Sequence, residues 1–523
     1  MRPFARHCSP WPSSLLPGSI EDAIGLLRRH VINHVDSTGA VRLPCRSRPL
    51  ETALLLRLLQ HTGQPFDRQA RYLRTLPPGS DPFDLEIAEA AVRRNATITD
   101  ELRRDVIAKS PHFTGARKQA LLDGLFAILG DTDDSDPRYG HDIFHRGGLH
   151  SWAQVQVTAL KGVLTGRLDD QDVHLLLATQ RLPDIWEGNL LIHLFTLHAL
   201  RRLPGTEQVV EEGVRKALRH IRADGGVPFV TDTDTWCTVT AGIALSAADA
   251  PEAILDRIAD RLVRCQLPGG GWSVTDIALQ TDVDDTSVAL QFLQSRHRPS
   301  GDPAVERGLS ALTAVRHAQG GFPTYVRDSA AEASMTVAAL DAFTFDFTRH
   351  RRILMDGLSF LADEQLTDGT FPPDWSSSRL HTVFRAVLMA SRIPDGLSGS
   401  AGQIARRALN FVLQSQNDDG GWGQRDGVTS DPISTSYAVM ALCAQDDPRP
   451  VAAGARYLLR HQREDGSIPS VSDSIGPRPF VFRIPLLADI FALMALGHVS
   501  RRFADAGRQT GRTDPGSAET LSG

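Results

Sequence analysis

The chain has 523 residues, of which 41% are hydrophobic and 23% charged, with a formal net charge of −6. That is the composition of a folded protein with room for two or more cores, and it excludes a fibrous or wholly disordered chain. No run of Lys and Arg interleaved with aromatics offers a nucleic-acid footprint, and no apolar run reaches the ~18 residues of a membrane span, so neither nucleic acid nor stable membrane insertion is expected.

In chain order, the opening "MRPFARHCSPWPSSLLPGS" has Arg2 and Arg6, but Pro and Ser interrupt any apolar region. It reads as a disordered leader over residues 1–19, not a secretory signal. Residues 20–180 read as an N-terminal helical domain of irregular pattern, beginning with a helix, turn, helix unit in "AIGLLRRHVINHVDSTGAV" and "SRPLETALLLRLLQ". Inside it, "ILGDTDDSDPRYGHD" (Ile128 to Asp142) lacks the Gly and terminal Glu of a calcium loop and reads as a solvated turn. The five cysteines, Cys8, Cys45, Cys237, Cys265 and Cys443, have no CxxC spacing. That pattern fits reduced thiols in a cytoplasmic protein and opposes a disulfide frame or thiolate zinc site.

Residues 181–500 carry an internal repeat. Gln, a Gly-rich polar turn and an aromatic or apolar residue recur in "CQLPGGGW", "AQGGF", "EQLTDGTF", "SQNDDGGW" and "HQREDGSI", with a weaker copy around Asp224 to Phe229. The glutamines Gln266, Gln319, Gln365, Gln416 and Gln462 lie 53, 46, 51 and 46 residues apart. Each turn leads to a second apolar helix, from "TWCTVTAGIAL" through "DTSVALQFL" to "VFRIPLLADIFALMAL". Two helices per unit and six units predict an all-α fold, a closed double ring of six inner and six outer helices. The turns themselves read as scaffold: Gly permits the tight backbone, Gln bonds helix-end groups and the aromatic plugs the gap between units. The polar stretch 501–523 is predicted to be a loose tail.

Of the six second helices one alone opens with Asp-x-Asp-Asp, in "QTDVDDTSVALQFL". An N-cap accounts for one of Asp282, Asp284 and Asp285 but poorly for all three. Three carboxylates aimed into one cavity cannot all ionise, so one proton stays on the cluster at neutral pH and is available to a weak base such as an alkene. That proton is shared, and no single pKa belongs to it. "VTDTDTWCTVT" (Val230 to Thr240), one repeat earlier, makes Asp234 a rival acid. A carbocation formed this way needs a dry cavity and π faces, and Trp272, Phe322, Tyr325, Trp236 and Phe292 lie near the relevant turns or helix starts.

The Asp-x-Asp-Asp-Thr motif inside Gln-to-Trp repeats resembles the class II terpene cyclases, the group that includes squalene-hopene cyclase and the bacterial and plant diterpene diphosphate cyclases. "FPTYVRDSAAEASMTVAALDAF" and "ALNFVLQSQNDDGGWG" follow the motif in an order similar to bacterial diterpene cyclases of about this length. The resemblance implies an α6–α6 barrel with a second, γ-like helical domain. It makes Asp284 the proton donor, with Asp282 and Asp285 tuning and holding it. It implies a prenyl diphosphate substrate, geranylgeranyl diphosphate first and farnesyl diphosphate with a drimenyl-type product as the alternative, cyclised with the diphosphate retained. A class I synthase or a phosphatase would then consume the product. It also implies Mg²⁺ near the second domain, where "GSDPFDLEIAE" offers Asp81, Asp84 and Glu86, and Arg48 stands ready for phosphate. Other classes fit less well. "DDQD" (Asp169 to Asp172) lacks the partner motif of a class I synthase, Cys237 lacks a zinc set of the protein prenyltransferase kind, and no segment resembles the membrane-dipping part of the longer squalene cyclases. A non-catalytic helical scaffold would tolerate replacement of Asp284.

Overall fold

The computed structural model describes residues 18–510, except 78–79, 94–97, 131–138, 297–300 and 395–397. The expected leader up to residue 17, the acids of the 131–138 loop and the tail beyond 510 lie outside the described residues. Those residues form helices joined by turns, with isolated bridges and no β-strand among them.

Six helices, Asp234–Ala247, Val283–Ser295, Ala333–Phe343, Leu380–Arg392, Pro432–Leu442 and Leu487–Thr510, each pack on the next, and the last packs on the first. They close an inner ring. All eleven residues of Ala333–Phe343 are buried, as a helix covered on every side requires. The outer ring is Ile20–Ile32, Glu252–Cys265, Pro303–Val315, Phe347–Glu364, Ser398–Gln414 and Pro448–Arg460. These helices are two-faced: Pro448–Arg460 buries Val451, Ala455 and Leu458 and leaves Arg449 and Arg456 in solvent.

The Gln-to-aromatic turns fasten one unit to the next, as scaffold. The Gln266 amide donates to its own turn at Gly270 O and to Ala304 O at the start of the next outer helix, both at 2.7 Å. Gln365 repeats this with Gly369 and Ile404, Gln416 with Gly420 and Pro450, and Gln462 with Gly466 and Ala23. The aromatic's backbone N–H then donates to a threonine of the inner helix: Trp272 to Thr286 (3.0 Å), Phe322 to Thr336 (2.9 Å) and Trp422 to Thr435 (3.0 Å). Gly270 sits at φ +90°, and a Cβ there would run into the Arg307 carbonyl. In the second turn the position belongs to Arg316, paired with Asp356, and not to Gln319.

The Gln462 bond to Ala23 shows where the sixth outer helix comes from. Ile20–Ile32 was expected in the N-terminal domain, but its stripe of Ile20, Ile24, Leu27 and Val31 packs into the barrel core beside Leu487–Thr510. Conversely, Leu190–Leu200 and Glu207–Leu218, expected to open the barrel after residue 181, join the second core. That second domain is a smaller closed ring. Pro49–His61, Pro82–Arg93, Gly115–Gly130, Ser151–Thr165 and Leu190–Leu200 stand inside, with Asp67–Arg74, Asp100–Ala108, Asp170–Gln180 and Glu207–Leu218 outside. It is inserted between the first outer and the first inner helix of the barrel. At the other end, Leu487–Thr510 runs through the expected tail boundary at 501 because Arg502 and Phe503 are buried. Among the described residues no helix is long and apolar enough to cross a membrane.

Candidate active site

Asp282 caps Val283–Ser295: its carboxylate accepts the Asp285 N–H at 2.8 Å, and its own N–H donates to Trp272 O. Asp431 does the same in a later repeat, accepting from Ser434 N–H at 2.9 Å while bonding Trp422 O. The cap is therefore a feature of the repeat, and Asp284 and Asp285 are what this unit adds. All three acids line one cavity of about 580 Å³ between the mouth of the barrel and the second domain.

Within the cluster the environments differ. Asp282 and Asp285 are buried, whereas Asp284 is half-buried and forms an ion pair with Arg385 from Leu380–Arg392. Burial pushes Asp282 up to about 7, against hydrogen bonds from Asp285 and with the charge of Asp284 adding to the rise. Burial pushes Asp285 well above the carboxylate range, and the Asp282 charge raises it further. Three acids facing one guanidinium thus retain a proton at neutral pH. Arg385 escaped the sequence reading; its signal is a lone charge inside the apolar inner-helix stretch "HTVFRAVLMAS".

Of the expected aromatic residues, Trp236 and Tyr325 line the cavity. Trp272, Phe322 and Phe292 do not: each is fully buried behind the wall. Trp272 Nε1 bonds Leu262 O at 2.8 Å, Phe322 packs on Phe343, and Phe292 fills the space opposite Gly242. The cavity's other rings include Trp152, Trp375, Tyr437 and Phe491, drawn from both domains.

Arg48, expected to meet phosphate, is used inside the protein instead. It is 3% exposed, held by Glu51 and the Gly476 carbonyl, and lies 4.5 Å over the Phe229 ring. It clamps the domain junction and does not line the cavity. The cations that do are Arg117, Lys118 and Arg478. Arg478 pairs with Glu332 and stacks 4.3 Å over Trp375. Lys118 has no anionic partner among the described residues; burial, with Arg478 and Arg48 nearby, lowers it to about 7.

Asp81, Asp84 and Glu86 do not assemble a magnesium site. Asp81 caps Pro82–Arg93 through Phe83 N–H (2.8 Å), and burial lifts Asp84 to about 7. No group of three or more His, Cys, Asp or Glu among the described residues is arranged to hold a metal ion. The rival acid Asp234 is 2% exposed and fully engaged: Arg42 lies 2.7 Å away, and Thr275 Oγ1 and Asp276 N–H each donate at 3.0 Å. It is not on the cavity wall. In "DDQD", Asp169 and Asp172 form a reciprocal helix cap with Lys161 against them.

Residues 250–501 match the squalene-hopene cyclase C-terminal domain. A drimenyl diphosphate synthase from Streptantibioticus cattleyicolor is 36% identical over 510 residues, covering 90% of this chain and 93% of that protein. The Streptomyces showdoensis protein of the same name is 34% identical, covering 91% and 93%. The chain belongs to the class II terpene cyclases and is an enzyme of that class. In fold it is similar to ent-copalyl diphosphate synthase from Streptomyces platensis, with a TM-score of 0.54 at 19% identity over 94% of this chain and 96% of that one.

Proposed function

We propose that this enzyme cyclises farnesyl diphosphate by protonation and releases a drimenyl-type product with its diphosphate intact. The expectation of geranylgeranyl diphosphate is overturned by the two drimenyl diphosphate synthases that align with nine-tenths of this chain. The observation that carries the chemistry is the cluster of three carboxylates against one arginine on the wall of an aromatic cavity.

The proton rests on the buried Asp282–Asp285 pair, and Asp284, the member most open to the cavity, delivers it to the terminal alkene. Arg385, paired with Asp284, holds that carboxyl group at the cavity wall, where the alkene can reach it. The π faces of Trp236, Tyr325, Trp375 and Tyr437 shelter the positive charge as rings close. Lys118, with Arg117 beside it, meets the diphosphate at the second-domain end of the cavity. Mg²⁺ is assigned no carboxylate cage on this chain and accompanies the diphosphate as its counter-ion.

The test is to incubate purified enzyme and Mg²⁺ with farnesyl or geranylgeranyl diphosphate and analyse products before and after phosphatase. A bicyclic C15 diphosphate is expected from the first. Release of inorganic diphosphate in step with turnover would indicate ionisation of the diphosphate ester and refute the reading.

A further inference from the structure

Cyclisation of this kind starts with a proton leaving the carboxylate cluster and, being an isomerisation, ends with a proton leaving the substrate. The cavity therefore needs a base as well as an acid. Most basic groups on its wall are already engaged. Glu332 is paired with Arg478 and accepts the Thr324 hydroxyl at 2.7 Å. Asp473 accepts the hydroxyls of Ser376 (2.8 Å) and Tyr437 (2.9 Å) and the Ser378 N–H (3.1 Å). His150 stacks on Tyr325 at 4.0 Å, is held down at about 4 by burial, and has no carboxylate against it among the described residues.

His381 is differently placed. Its Nδ1 lies 2.9 Å from Asp374 Oδ2, and both residues are buried. Asp374 also accepts the Thr382 hydroxyl and the Ser376 N–H. Burial opposes its charge, yet His381 and these donors hold it below the ordinary carboxylate value. An ionised Asp374 only accepts, so Nδ1 carries a hydrogen, and in the neutral ring Nε2 is the nitrogen with a lone pair. Nε2 has no protein partner among the described residues, and His381 lines the cavity. Tyr437 and Phe384 meet its ring edge-on at 5.4 and 5.7 Å and fix its plane. On Leu380–Arg392, His381 stands one turn before Arg385, so one face of one helix carries both the candidate base and the arginine paired with Asp284.

We propose that His381, oriented by Asp374, is the base that ends the cascade; the assignment rests on the cyclase reading above. A C–H bond on a carbon next to the final cation breaks, its electron pair becomes the new C=C bond, and the proton goes to Nε2. Asp374 stabilises the imidazolium that results. Passing that proton back to the carboxylate cluster, which lost one at the start, restores both groups.

His381→Ala and Asp374→Asn would be compared with wild type on farnesyl diphosphate, with products identified by mass spectrometry after dephosphorylation and folding followed by thermal melting. In His381→Ala the major product should change to one in which water has captured the cation, or to a different alkene isomer, and Asp374→Asn should shift products the same way but less. An unchanged product mixture in His381→Ala, at full or reduced rate, overturns the proposal. Should that variant fail to melt cooperatively, Asp374→Asn decides: it keeps the side chain's shape, so a product shift supports the dyad and an unchanged mixture refutes it. Wild-type enzyme that leaves farnesyl diphosphate uncyclised would sink the substrate reading alone, and the same comparison then runs on geranylgeranyl diphosphate.

Discussion

Two neighbouring inner helices begin with paired aspartates, and they have opposite fates. At Asp234–Ala247 the buried acid meets Arg42, with Arg261 a little further off, and faces away from the cavity. At Val283–Ser295 three acids share Arg385 and open onto the cavity. Burial lifts Asp234 too, to about 6, so what separates the two sites is access: aspartates sealed behind the wall are ordinary structure, and those that open onto the cavity are the candidates for a proton donor.

The largest effect that would test this contrast is on turnover. Asp284→Asn keeps shape but removes the acid, so kcat of folded enzyme should fall by at least ~10²-fold while substrate binding stays close to wild type and the melting temperature drops with loss of the Arg385 pair. Retained activity would reduce the cluster to a cap. The pH profile comes next. With Asp282 lifted to about 7, the shared proton is present below that pH and lost above it, so turnover should decline about tenfold per unit on the alkaline side. The sign for stability is the same. The folded protein holds more protons than the unfolded chain between about pH 4 and 7, so stability falls as pH rises through that window and levels off beyond, and Asp282→Asn should flatten the slope. Third, Lys118→Met should raise KM for the diphosphate by about tenfold, the size of one charge-assisted contact, with little change in kcat. The smallest catalytic effect belongs to Asp234→Asn. It should lower the melting temperature by loss of the Arg42 pair but leave kcat of folded enzyme within about twofold. A dead but folded Asp234→Asn enzyme would move the acid one repeat upstream.

What could be read from sequence was local or periodic. The Gly turns and their aromatic partners recur at a near-constant interval because each fastens the same pair of helices, so the double ring was legible. The Asp motif was legible because its three members share one helix start. The losses are long-range. Arg385 is 101 residues from Asp284, and only the closed ring brings them together. Arg48 misled as a phosphate ligand, although Glu51 three residues on signalled an internal ion pair. Phe292 misled through proximity in sequence: it lies two turns below Asp284, while the cavity is at the helix starts. Ile20–Ile32 reads from sequence as part of the N-terminal domain, because a whole domain separates it from the helices it covers.

That separation also sets the order in which the molecule can assemble. The amide of Gln462 reaches Ala23 across 439 residues of chain, and the barrel stays open until that contact forms. During synthesis at roughly 5–20 residues per second, the apolar stripe of Ile20, Ile24, Leu27 and Val31 therefore waits on the order of 25–100 s for Leu487–Thr510 to emerge. The inserted domain, whose core is contributed mainly by residues 50–227, can fold in that interval. Newly made chains should accordingly be most prone to aggregate, and most in need of a chaperone, through the first helix of the barrel.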